Sequence, residues 1–150
     1  LGHTVGIAVW GNRGPTMVRI EEAPSAVHVN MRHGTVMSLR DTASGLLFCA
    51  FMPREVVLPM LAAEGDSLDA ELKVLLMTVR KQGLAQAVDA SVPGISAMAA
   101  PVFDVGNGIV MSLTAIGPSA IFDTRVDGEL ARVLRHSANE LSRQLGAAVG

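Results

Sequence analysis

The stretch that most constrains this chain is Ile109 to Ile116. Ile109, Met111, Leu113 and Ala115 point one way along an extended segment, and Val110, Ser112, Thr114 and Ile116 point the other. Both faces are largely apolar, so the segment belongs inside a sheet that is covered on both sides. A second strand, Ile95 to Phe103, precedes it across the turn-rich Asp104 to Gly108, which reads as a hairpin loop. Pro101 suggests that this strand has a free edge or a bulge there. The rest of the chain must supply the covering layers. At 150 residues, 49 % apolar and 17 % charged, it has the material for a core without staples, which excludes a disulfide-held mini-protein and a disordered chain.

The N-terminal part alternates. Val5, Ile7 and Val9 oppose Gly6, Ala8 and Trp10 in a first strand; after Gly11 to Pro15, Val18 and Ile20 alternate with Met17, Arg19 and Glu21 in a second. Pro24 and Ser25 break the pattern, and Val27, Val29 and Met31 alternate with His28, Asn30 and Arg32 in a third strand. The middle is helical. Asp41 or Thr42 can cap a helix through Leu46, Leu47, Ala50 and Phe51 that stops near Pro53, and Glu55 to Leu61 is helical but disturbed by Pro59. Leu68, Leu72, Leu75, Leu76 and Val79 form the stripe of a third helix closed by Gly83. Ala85 to Val92 is a weak strand. A last helix begins at Thr124 and carries Val126, Leu130, Val133, Leu134, Leu141 and Leu145, with Gly146 as its stop. The order of three strands, helices, three strands and a helix predicts an α+β domain, an antiparallel sheet with helices packed on it.

Charge narrows the partners. Twelve Lys and Arg against fourteen Asp and Glu leave a net charge of −2, so no basic face for nucleic acid is offered. Cys49 is the single cysteine, which excludes an intrachain disulfide and CxxC zinc sites and fits a reducing compartment. His3, His28, His33 and His136 lack metal-ligand spacing, and no metal or cofactor is expected. No apolar run approaches the ~18–20 residues of a membrane span, and the opening residues do not read as a charged-then-apolar leader. The start at Leu1, just ahead of a strand, reads as a cut within a longer protein.

Several segments occur together in a familiar order: Gly11-Asn12-Arg13-Gly14-Pro15-Thr16, Arg32-His33-Gly34, Thr42-Ala43-Ser44-Gly45, Pro93-Gly94-Ile95, Ala99-Ala100-Pro101-Val102-Phe103-Asp104, Ile116-Gly117-Pro118, and Ala138-Asn139-Glu140-Leu141-Ser142-Arg143-Gln144-Leu145-Gly146. Through them the chain resembles, over nearly its whole length, the C-terminal effector-binding domain of IclR-type bacterial transcriptional regulators. The resemblance implies a GAF-like or profilin-like fold: a six-stranded antiparallel sheet with helices packed on both sides. It further implies that residues 1–150 form one ligand-sensing domain of a cytoplasmic regulator. An absent N-terminal winged helix-turn-helix would bind the DNA, and this part would form a homodimer or homotetramer.

It also implies a site. The family holds its effector's carboxylate on amides matching Ala43 and Ser44, at a helix start where unpaired N–H groups and the dipole favour an anion. Asp41 would repel that anion slightly and Arg40 could offset it. The bland explanation is that these small residues merely let the helix pack on the sheet. The family's sheet contacts map to Val29, Met37, Ala87, Ile95, Ala97, Thr114 and Ile116. Where small-acid sensors of the family carry polar residues, this chain has Ala87, Ala97 and Ile116, with Thr114 the only hydroxyl kept among these positions. A buried polar ligand needs partners for each polar group. The expected effector is therefore a small organic acid with one anionic end and a larger apolar body, an aromatic acid being one form.

Competing readings are an oligomerisation module with no strong ligand, whose pocket is filled by its own Met and Leu side chains, and a small enzyme built on Cys49 and a histidine. The latter lacks support: Cys49 sits in an apolar helical run, where an inert buried thiol is the common outcome. His28 and Arg32 read as a solvated or interface face, Asp104 as a turn former, and Gly106-Asn107-Gly108 as too short to cradle a phosphate. Trp10 covers either the sheet or a subunit contact.

Overall fold

The computed structural model describes residues 3–21, 34–90 and 92–147. Five antiparallel strands, β1 (Thr4–Gly11), β2 (Gly14–Glu21), β3 (Ala85–Val88), β4 (Ile95–Phe103) and β5 (Ile109–Pro118), lie in the order β2-β1-β5-β4-β3. The doubly apolar strand is thus the middle one. Helices α1 (Ala43–Phe51), α2 (Arg54–Ala63) and α3 (Ala70–Gln82) belong to one side of the sheet, and α4 (Glu129–Gln144) packs on the other. The α+β class and the helices on both sides agree with expectation.

Alternation along the strands divides the core. Ala8, Met17, Ala99 and Ile116 join Leu47, Phe48 and Leu76 on the α1 side. Met98, Ala100, Val102, Leu113 and Ala115 join Leu130 and Leu134 on the α4 side. Pro101 is tolerated because β3 reaches only as far as Ala99 and a bulge follows at Val102/Phe103. There the Phe103 N–H donates to the Ser142 hydroxyl of α4 at 2.9 Å. The hairpin loop closes through the Asp104 carboxylate, which accepts from the Gly106 N–H.

Several expectations are corrected. The described residues contain five strands rather than six; the third expected strand, Val27 to Met31, lies outside them. Beyond β2, the Gly34 N–H donates to the Met17 carbonyl, the Met17 N–H to that of Thr35 and the Met37 N–H to that of Pro15, so this segment continues the ladder as an isolated bridge between Thr16 and Val36. In β2 a bulge at Val18, opposite Ile7/Ala8, breaks the expected alternation: Met17 and Ile20 both turn to the α1-side core and Val18 is exposed. β3 is shorter than Ala85 to Val92. α2 runs through Pro59. The last helix begins at Glu129, not Thr124, because Asp123 binds the N–H and guanidinium of Arg125 in a turn that ends at Gly128. Leu75 and Leu145, expected in apolar stripes, are exposed, and Trp10 packs on Phe48 with ring centroids 5.8 Å apart.

Candidate functional site

The start of α1 is built by its cap. Thr42 is extended (φ −121°, ψ 151°), and its Oγ1 accepts from the Gly45 N–H at 2.9 Å while donating to the Ser38 carbonyl at 2.6 Å. The Leu46 N–H returns to the Thr42 carbonyl. Among the described residues no acceptor meets the N–H groups of Ala43 and Ser44, although both residues are buried. Those amides, with the helix dipole behind them, form a patch of positive potential.

Gly45 explains part of the local composition without any ligand. A Cβ there would overlap the Ser38 carbonyl oxygen and stand 2.7 Å from the Leu39 Cα. The incoming strap, residues 38–42, crosses the first turn backbone against backbone. It is pinned from outside: the Leu39 N–H donates to both Glu64 carboxylate oxygens (3.1 and 3.3 Å), and the Arg40 guanidinium meets Asp66 at 2.8 Å, Asp69 at 2.9 Å and the Ser67 carbonyl at 3.0 Å. Asp69 also caps α3 by accepting the Leu72 N–H, which with Arg40 holds its carboxyl below the usual range; Asp69 in turn raises the Arg40 pKa. Arg40 is therefore committed to the strap and does not serve the amides of α1, and Asp41 is exposed rather than the cap.

Beneath the first turn lies a knot of hydroxyls. Ser44 Oγ and Thr114 Oγ1 are 2.8 Å apart, Ser112 Oγ donates to Ser44 Oγ at 3.0 Å, and Ser112 and Thr114 are 3.4 Å apart. All three residues are fully buried. The wall thus carries a second hydroxyl that the ligand-lining expectation passed over, Ser112. Its signal was the period of two that puts it on one face with Thr114 and Ile116. These hydroxyls satisfy one another, as buried polar groups must.

The remaining predicted positions fall on the same side of the sheet. Ala87 pairs with Ala97, and Ala97 with Ile116, in one cross-strand row; the next row runs from Ala85 through Ala99 and Thr114 to Gly6. Met37, Ala43 and Ile116 are buried in the α1-side core, and Ala87, Ile95 and Ala97 pack against it half-buried. Val29 lies outside the described residues.

Cys49 is buried farther along α1, and its thiol is pushed up to about 12, chiefly by burial and then by Glu64 and Asp66. A thiol so protected is a poor nucleophile. Among the described residues no group of His, Cys, Asp and Glu is arranged to hold a metal ion, and no helix is long and apolar enough to cross a membrane.

The model of the family described as bacterial transcriptional regulator IclR C-terminal matches residues 1–143. Among solved structures, Pseudomonas aeruginosa HmgR superposes with a TM-score of 0.94 at 35 % identity, over 99 % of this chain and 62 % of that one. Thermotoga maritima IclR gives 0.84 at 25 % identity, over 97 % and 62 %. The Agobacterium tumefaciens repressor BlcR shares the fold, with 0.82 at 17 % identity over 98 % and 61 %. This chain spans 61–62 % of the length of these proteins. Comparison with curated proteins returns no match.

Proposed function

We propose, because the chain belongs to the C-terminal domain family of the bacterial IclR transcriptional regulators, that it senses a small organic acid with an apolar, aromatic body. The observation that carries this reading is the pair of buried Ala43 and Ser44 amides with no acceptor among the described residues. An anionic end would supply the missing acceptor. The nearby side-chain hydroxyls are engaged with one another, and Ala87, Ala97 and Ile116 offer only hydrocarbon, so the rest of the ligand has few polar partners. Ile95 and Met37 extend the same apolar wall, and Val29 completes the proposed set.

IclR-type regulators are not enzymes, and the role proposed here needs no chemistry. In the intact protein, residues 1–150 would be one GAF-like sensing domain, a winged helix-turn-helix would precede it, and cytoplasmic homodimers or homotetramers would bind DNA. Effector binding changes DNA affinity only if one arrangement of the subunits holds the effector better than another.

Thermal shift and calorimetry on this chain test the reading, with benzoate and phenylacetate set against pyruvate. An aromatic acid at ~100 times its Kd should stabilise the fold by about 2.7 kcal/mol. Pyruvate binding far more tightly than either aromatic acid sinks the apolar-body reading. Failure of every acid leaves the domain as an assembly module.

A further inference from the structure

A second recess opens at the other end of α1, between that helix, α2 and α3. Its volume is about 210 Å³, room for roughly seven waters at ~30 Å³ each or for one small organic molecule. Buried Cys49, Val57 and Leu76 lie among its lining, with Leu68 half-buried beside them. Met52 and Met77 flank it, and methionine adapts to irregular apolar partners.

The polar part of the lining has one sign. Arg54, Lys73 and Arg80 line the recess, and among the described residues no carboxylate does. Lys73, Leu76, Met77 and Arg80 stand at i, i+3, i+4 and i+7 of α3, so charge and apolar surface share one stripe of the helix. Among the described residues Arg54 and Lys73 form no ion pair. Among the described residues the Arg80 side chain makes one hydrogen bond, from Nη1 to the Ala50 carbonyl at 3.1 Å, which leaves its other donors open. The carboxylates acting on Cys49 are engaged elsewhere, Glu64 by the Leu39 N–H and Asp66 by Arg40. Three cations over a greasy floor suit a ligand with one negative end and one hydrocarbon end. The recess is too small for a helix and too apolar for inorganic phosphate alone.

We propose that this recess is a second ligand site, taking an amphiphilic monocarboxylate of medium-chain fatty-acid size. Its chain lies on Val57, Leu76 and the two methionines, and its carboxylate lies among Arg54, Lys73 and Arg80. The site is separate from the first turn of α1 and stands whether or not that turn binds an acid.

Methyl-13C methionine NMR on the 150-residue chain separates the two, since Met52 and Met77 report on the recess and Met37 on the wall near the start of α1. With octanoate as probe, the Met52 and Met77 methyls should shift saturably, with a concentration dependence independent of any shift at Met37. Uncharged octanamide should bind at least tenfold more weakly. The double variant R54Q/K73Q should lose at least tenfold in octanoate affinity with an unchanged Tm, and R54K/K73R should keep it. Silent Met52 and Met77, equal binding of octanamide, or an undiminished R54Q/K73Q response each overturn the proposal. A shift at Met37 alone also overturns it, while leaving the effector reading intact.

Discussion

Strands β4 and β5 present two unlike surfaces to their two helical layers. Toward α4 they offer Met98, Ala100, Val102, Leu113 and Ala115, all hydrocarbon or thioether, and Leu130, Leu134 and Ala138 fill against them. Toward α1 the central residues Ala97, Ala99, Ser112 and Thr114 are small or hydroxylated, with the larger Ile95, Phe103, Ile109 and Ile116 toward the strand ends. The same two strands therefore build a dense apolar layer on one side. On the other they build a thin one, across which a helix end reaches the sheet closely enough for Ser44 to bond Thr114. The larger buried cluster, with Leu47, Phe48, Leu61 and Leu72, belongs to the α1 side, so the polar, anion-compatible features there sit in the sheet surface beneath the first turn of α1 and not in a generally weaker layer.

Substitutions can break or sharpen that contrast. The largest expected loss is at Leu134, buried on the α4 side, where Leu134→Ala should cost about 3 kcal/mol, read as a lowered denaturation midpoint with an unchanged m-value. Next comes Gly45→Ala, where one added methyl collides with the strap and should cost about 2–3 kcal/mol, comparable to the larger deletion opposite. A neutral result there would mean that the strap is not held as described. Ser112→Ala should cost only about 1 kcal/mol in the same unfolding experiment, because Ser44 and Thr114 keep each other as partners. A loss equal to that of Leu134→Ala would erase the difference between the sides.

The smallest effect concerns acid. The Asp69 carboxyl is held below its usual range by the Leu72 N–H and by Arg40. Its contribution is complete above the unfolded-state value of ~3.9 and is lost as pH falls through the lower folded value. Asp69→Asn should therefore flatten the drop in Tm below about pH 4. Circular-dichroism melts at several pH values would show it, and an unchanged slope would mean that the Arg40 pin carries no measurable linkage.

Much of this frame was legible in the chain. Apolarity on both faces marked β5 as interior, and it is the central strand. Turn residues marked the β4–β5 hairpin, Gly83 closed its helix, and of the two caps read for α1, Asp41 or Thr42, it is Thr42 that serves. What escaped was non-local or unpatterned. A single extra residue at the β2 bulge flips Met17 inward, and neither residue type announces it. Arg40 finds Asp66 and Asp69 across 26 and 29 positions, a pairing that no spacing rule reaches. Thr114 was singled out through the family, but its engagement with Ser44, 70 positions away, depends on how closely α1 settles on the sheet. Val29 falls outside the described residues.

The contact of main chain on main chain at Gly45 has a consequence for how such a domain diversifies. The first turn of α1 is located by peptide groups and by the absence of a side chain, while in the proposed site Ala87, Ala97 and Ile116 would be ordinary replaceable lining. If the site acts as proposed, descendants of this sequence could exchange the lining piecemeal, and so retune selectivity, without relocating the nitrogens.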